Sequence, residues 1–194
     1  MKINEADRIG TALWRSSIPQ KYKKYPILGQ GATSIVLDKG DGRVLMLTRD
    51  TMKMEWLTRN WGLDIGEVID EFEVYHQKSR TLGEMPVYVI DLPLLYPLSA
   101  KSKQQVKKAI AEYQSIQMRG NPKQMDILNK YLDKHPEGMF AQLVEFLQNY
   151  DDNQYHTDFL MRNFMQAADG NIILIDPIVS AELLKSLREL RGWK

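Results

Sequence analysis

Two acid-bearing segments and one glycine-rich turn hold the residues of this 194-residue chain that could do chemistry. Tyr155-His156-Thr157-Asp158-Phe159-Leu160-Met161-Arg162-Asn163 puts a carboxylate and an amide five residues apart across a loop. Ile172-Ile173-Leu174-Ile175-Asp176-Pro177 ends an apolar run on an acid, where a purely structural strand would prefer another aliphatic. Two carboxylates and one amide oxygen are hard ligands suited to Mg²⁺, which usually also binds substrate phosphate. One carboxylate can instead take the proton of an attacking hydroxyl. Upstream, Gly29-Gln30-Gly31-Ala32-Thr33-Ser34 is a turn whose backbone can approach a phosphate, because only hydrogen projects from its glycines. A β-branched strand follows it rather than a helix, and no Gly-Lys-Ser/Thr occurs, so it is neither a dinucleotide fingerprint nor a Walker loop. Each segment alone also reads as a turn or a helix cap. Their joint occurrence in this order points to phosphoryl chemistry.

The elements that must position these residues change character along the chain. The first half reads mostly as strand, the second mostly as helix, which implies an α+β fold with a sheet-rich front (1–98) and a helical back (99–194). Asn4–Trp14 reads as a short amphipathic helix. Pro26–Leu37 reads as strand, glycine turn and strand, and Asp41-Gly42 as a tight hairpin turn before a strand over Arg43–Thr48. Thr51–Asn60 reads as a helix, and Phe72–His76 and Val87–Ile90 as two further strands. In the back half, helices are expected over Ser102–Gln117 and Met139–Gln148, and short strands over Asn163–Gln166 and Ile172–Ile175. Ser180 is a candidate cap for a last helix carrying Leu183, Leu184, Leu187 and Leu190 on one face.

Composition removes other classes. There is no cysteine, which excludes disulfides, thiolate metal sites and a cysteine nucleophile. The three histidines, His76, His135 and His156, are far apart in sequence and do not suggest an all-histidine metal site. Lys plus Arg is 26 against 25 for Asp plus Glu, a balance that gives no general pull toward nucleic acid or an anionic membrane. The basic run Lys101–Lys108 reads as a solvated helix face. No apolar run approaches the roughly 20 residues of a membrane span, and the N-terminus is too polar for a signal peptide, so the expectation is a cytoplasmic protein.

The order His156-x-Asp158-x4-Asn163, a two-strand hairpin, then Asp176 resembles the catalytic loop and metal-binding acid of the protein-kinase-like superfamily. Gly29-x-Gly31-x-x-Ser34-x-Val36 is similar to its glycine-rich loop, with Ser34 in place of the third glycine. Within the superfamily, Gly170–Val179 looks most like the early protein kinases of T7-type bacteriophages, with Asp-Pro where typical protein kinases have Asp-Phe-Gly. The compact layout is similar to small bacterial effector kinases. The resemblance implies a minimal two-lobed kinase fold that transfers phosphate from ATP with Mg²⁺ or Mn²⁺ to a serine or threonine of a host protein. Asp158 is then the catalytic base, Asn163 and Asp176 hold metal, and His156 is structural. Gly29, Gln30, Gly31, Ser34 and Val36 cover the nucleotide. Met46 stands on the third strand, Glu55 is the acid of the front helix, and Asp91 and Leu92 belong to the hinge beside adenine.

Two departures open alternatives. The superfamily expects a lysine on the third strand, and Arg43-Val-Leu-Met46-Leu-Thr48 has none; Lys39, Arg49 and Lys53 are the candidate replacements. If none substitutes, the chain is a pseudokinase that binds and redirects a host protein. Only 18 residues follow Asp176, so either the target is recognised through some other surface than the usual activation segment or the chain does not phosphorylate proteins. A small-molecule phosphotransferase is the third reading.

Overall fold

The computed structural model describes residues 12–13, 15–58, 62–76, 79–117, 123–138 and 140–192. The expected Asn4–Trp14 helix lies outside the described residues except for Ala12 and Leu13, which are both buried.

The described residues form an α+β fold with seven α-helices and a five-stranded antiparallel sheet. After a short α1 (Gln20–Lys23) come β1 (Ile27–Gln30), β2 (Ser34–Gly40) and β3 (Arg43–Thr48). The β2–β3 turn holds Asp41 at φ 53° and Gly42 at φ 71°, the left-handed geometry that an Asp-Gly pair tolerates. Helix α2 (Thr51–Thr58) follows directly, then β4 (Glu67–Phe72), α3 (Arg80–Glu84) and β5 (Val87–Pro93). The strands lie in the order β1-β2-β3-β5-β4.

The strand expected over Phe72–His76 instead ends at Phe72, which pairs with Val87. Beyond it, the carbonyl of Val74 turns inward to accept from the buried guanidinium of Arg49, at 2.6 Å, so the backbone leaves the ladder there. Arg49 also donates to the carbonyls of Leu82 and, at 2.6 Å, Met85. It pins the loop around α3.

Alternation along the strands buries the sheet on both faces. Ile35, Leu37, Leu45, Leu47, Val87 and Val89 pack on one side with Leu13, Ile18 and Tyr22. On the other side Val44, Met46, Ile90 and Leu92 join Trp56 and Leu57 of α2 and continue into the helical half. That half contains α4 (Ala100–Gln117), α5 (Gln124–Leu132) and α6 (Ala141–Leu147), whose Val106, Tyr113, Leu128, Phe140 and Leu143 belong to the same core. The 124–132 helix carries no strong sequence signal. Its Ile127, Leu128 and Tyr131 become core only because α4 and α6 lie beside it.

Two small ladders complete the back half. β6 (Tyr155–Thr157) pairs with β9 (Ile178–Ser180), and β7 (Phe164–Gln166) pairs with β8 (Ile172–Leu174). Helix α7 (Ala181–Leu190) follows β9, and Ser180 caps it as the sequence suggests, accepting from the Leu183 amide at 3.4 Å. Trp56 ties the halves together. Its indole N–H donates to the Leu174 carbonyl at 2.7 Å, and its ring meets Phe146 edge-on. No helix among the described residues is long and apolar enough to cross a membrane.

Candidate functional site

The two ladders bring the acid-bearing segments side by side. Asp158 leaves the end of β6, Asn163 closes a 3-10 turn before β7, and Asp176 sits in the short link between β8 and β9. Backbone bonds lock the segments together: Asp158 N–H to the Pro177 carbonyl at 2.7 Å, and Ile175 N–H to the Asn163 carbonyl at 2.8 Å. The buried Asn163 side chain donates its amide N–H to the Asp158 carbonyl at 2.6 Å. A carbonyl can only accept, so the amide nitrogen must face it and the Asn163 Oδ1 is turned the other way.

The glycine hairpin and α2 close the site from the sheet half. Lys53, on the first turn of α2, is buried, and its ammonium reaches Asp176 Oδ2 at 2.8 Å. It also donates to Thr33 Oγ1 at 2.9 Å and Ser34 Oγ at 3.2 Å, so all three of its N–H bonds have partners. Gly31, Ala32, Thr33, Asp50, Lys53, Asp158, Asn163 and Asp176 line one cavity of about 500 Å³. A Cβ added at Gly29 would meet no atom within 4 Å, and one at Gly31 only the Ser34 carbonyl at 4.0 Å. Packing within the chain therefore does not require these two glycines.

Next to this cavity lies an apolar one of about 270 Å³, lined by Gly29, Val36, Met46, Leu57, Leu92, Leu94 and Ile175 among others. The cavities share the hairpin and the chain-adjacent residues Ile175 and Asp176. Of the residues expected to bind nucleotide, Gly29, Val36, Met46 and Leu92 line this apolar cavity.

Other expected site residues do not come together. The side chain of Asp91 turns to the opposite face of the sheet. There it pairs with Lys39 and, at 2.9 Å, with the Arg43 guanidinium. Burial pushes this carboxyl up, but the bonds from Lys39 and Arg43 outweigh it and hold the group below the ordinary carboxylate range. Strand alternation is the reason: Leu92 faces the apolar cavity, so Asp91 cannot. Glu55 accepts from the Tyr150 hydroxyl and is not a partner of the site lysine. Gln30 turns its amide to the Leu13 carbonyl, at 3.3 Å. His156 is exposed on β6, where Tyr155 is the buried member. Lys39 and Arg49, the other two candidate cations, are both engaged elsewhere.

The sequence reading missed Asp50. It is fully buried and caps α2, its Oδ1 accepting from the Lys53 and Ser180 amides, each at 3.3 Å. Its Oδ2 is buried without a hydrogen-bond partner. Burial pushes this carboxyl up to about 6; Lys53 pulls it down, Asp176 pushes it further up, and the two amides pull it down again. The available signal was an Asp directly before a helical run, which is a cap position. A residue three positions on, at Lys53, lies on the cap's side of the helix. Arg162, whose guanidinium is 3.6 Å from the Asp158 carboxylate, and Arg191 also line the polar cavity and had no sequence signal.

Among the described residues, no three His, Cys, Asp or Glu side chains group closely enough to hold a metal ion by themselves. No family model, curated protein or solved structure matches this chain.

Proposed function

We infer that the chain is a minimal ATP-dependent phosphotransferase, its sheet half and helical half acting as the two lobes of a kinase-like cleft. The observation that carries this reading is the lysine at the site. Lys53, delivered by a helix instead of a strand, meets Asp176 and the hairpin hydroxyls in the cavity that also holds Asp158 and Asn163. The pseudokinase reading draws on the strand without a lysine and on the short back half; Lys53 in the cavity supports the active reading against the first of these.

The residues fit the expected ligands. An apolar slot beside a polar cavity suits a nucleobase followed by phosphates, and the bare glycine hairpin leaves room for a phosphate chain. Asp176 and Asn163 Oδ1 offer two hard oxygen ligands. That number suits Mg²⁺ or Mn²⁺, which would complete its coordination with phosphate oxygens and water. When bound, such an ion would neutralise charge on the transferred group. Lys53 would exchange its hydroxyl partners for phosphate oxygens and hold the donor in place. Asp158 would accept the proton of the acceptor hydroxyl as the new P–O bond forms and the bond to the ADP oxygen breaks. Asn163 positions Asp158 through its backbone carbonyl.

The test is transfer from γ-labelled ATP with Mg²⁺ or Mn²⁺, in purified protein and in a bacterial lysate, with Asp158→Ala alongside. Label that appears with the wild type and disappears with the variant supports the reading. Nucleotide binding without any transfer would favour the pseudokinase.

A further inference from the structure

A closed circuit of hydrogen bonds lies behind the site lysine. The Lys53 ammonium donates to Ser34 Oγ at 3.2 Å, and Ser34 Oγ donates to Thr48 Oγ1 at 3.0 Å. The Asp50 amide donates to Thr48 Oγ1 at 3.1 Å, and the Lys53 amide closes the circuit on Asp50 Oδ1 at 3.3 Å. All four residues are buried. Two bonds leave the circuit for the back half. One is the Lys53 ammonium on Asp176 at 2.8 Å. The other comes from the Ser180 amide, which donates to the same Asp50 Oδ1 at 3.3 Å. Asp176 lies just before β9 and Ser180 ends it, so the first turn of α2 is fixed at both ends of that strand.

From this circuit we propose, building on the phosphotransfer reading, that Asp50 is a positioning residue: its bond to the Ser180 amide holds the first turn of α2 against β9 and keeps the Lys53 ammonium in place while a donor phosphate is bound. Among the described residues the Asp50 side chain has no other hydrogen-bonding work. Its Oδ1 serves the Lys53 and Ser180 amides, and its Oδ2 is buried without a partner. Capping α2 alone needs only the Lys53 amide and does not need the cap to be buried. The Ser180 hydroxyl is already committed to the Leu183 amide, so the Ser180 N–H is the group that meets Asp50. Of the two anchors, the one at Asp176 is the one that ligands contest. In the proposed reaction Lys53 exchanges its hydroxyl partners for phosphate oxygens, and Asp176 offers its oxygen to a metal ion. The bond between Asp50 and Ser180 involves neither group and persists through that exchange. Trp56, one turn further along α2, is fixed separately to the Leu174 carbonyl. Loss of the Ser180 bond therefore frees the turn that carries Lys53 and leaves the rest of the helix docked.

The experiment separates the amide of Ser180 from its hydroxyl. Ser180 has φ −56°, inside the range of proline, and it follows a strand residue. Ser180→Pro therefore removes the N–H that meets Asp50 with little demand on the backbone. Ser180→Ala keeps that N–H, and both variants lack the cap hydroxyl. Asp50→Ala removes both amide contacts, and Asp50→Asn keeps the acceptor. Melting temperatures are recorded first, and every assay is run well below the lowest of them. Acetic anhydride labelling of Lys53 in nucleotide-free protein, read by mass spectrometry against the exposed Lys101, reports whether the ammonium keeps its place. Labelling should be about tenfold faster in Ser180→Pro than in Ser180→Ala, similarly fast in Asp50→Ala, and mostly restored in Asp50→Asn. At saturating ATP, label transfer from γ-labelled ATP to bacterial lysate protein should be about tenfold slower in Ser180→Pro than in Ser180→Ala, with a smaller change in KM for ATP. A cap without a positioning role would lower the melting temperature and leave the two Ser180 variants equal in labelling and in transfer. That equality in either reading, or unchanged labelling in Asp50→Ala, would overturn the proposal. Should Asp50→Ala fail to fold, the Ser180 pair decides. The expected labelling in a protein that neither binds nucleotide nor transfers phosphate would overturn the phosphotransfer reading, and the catalytic meaning of the Asp50 bond with it.

Discussion

Replacing Asp50 with asparagine should stabilise the protein, and the amount should depend on pH. Asp50 is fully buried, and one of its two oxygens has no donor. Its carboxyl is raised from an ordinary 3.8 to about 6, chiefly by burial. That difference corresponds to about 3 kcal/mol by which folding disfavours the charged form. The folded chain holds the proton more tightly than the unfolded chain. The contribution of Asp50 to stability is therefore most favourable below pH 3.8, falls as pH rises toward 6, and is flat above. Asparagine caps a helix about as well as aspartate and keeps an acceptor for the Lys53 and Ser180 amides, but it carries no charge. Asp50→Asn should then be close to wild type near pH 4 and up to about 3 kcal/mol more stable at pH 8. For a chain of this size that is roughly 6–12 °C in melting temperature. Urea unfolding of nucleotide-free protein at pH 4, 6 and 8 measures it. A variant that is less stable than wild type at pH 8, or a difference that does not change with pH, would show that the buried carboxylate is stabilised by its surroundings, against the reasoning here.

Three other substitutions test the site. Lys53→Met should lower kcat/KM for ATP by about 100-fold or more, since it removes the cation held against Asp176, and steady-state kinetics would reveal a smaller effect if another base served. Met46→Lys, which would supply the third-strand lysine that the kinase resemblance expects, puts an ammonium into a slot lined by Val36, Leu57 and Leu92. It should cost about 3 kcal/mol or more and raise no activity; a gain in transfer rate would mean that Lys53 is not the working cation. Asn163→Asp replaces the N–H that meets the Asp158 carbonyl at 2.6 Å with a second acceptor, so the loop must shift. Single-turnover rates should fall by about 100-fold with a much smaller change in nucleotide affinity, and an equal loss in both would point to metal binding alone.

Much of the fold is readable from local pattern. The Asp41-Gly42 turn, the alternation of β2 and β3, and the cap at Ser180 each depend on residues close in sequence, and the structure contains all three. Strand edges were less readable. β4 stops at Phe72 because Arg49, over twenty residues away, takes the Val74 carbonyl out of the ladder. Helix α5 has core residues only because its neighbours supply the other side of the contact.

The same division holds at the site. The sequence by itself determined that Asp158, Asn163 and Asp176 share one place, because two short ladders link segments within about 25 residues of each other. Alternation also set Met46 on the face of the apolar cavity; Asp91, expected in the hinge, is turned to the opposite face by the same alternation along β5. Only the tertiary structure decided which cation reaches Asp176. Alternation turns Arg49 away from the Met46 face of the strand, but spacing alone singles out none of Lys39, Arg49 and Lys53, and each has a long, flexible stem that could turn several ways. Asp91 claims Lys39, three backbone carbonyls claim Arg49, and only the packing of α2 across the sheet, with Trp56 anchored on β8, brings Lys53 to Asp176, 123 residues along the chain. A cation's partner is set by what lies within about 4 Å once the core is closed, and sequence spacing carries no information at that range between distant segments.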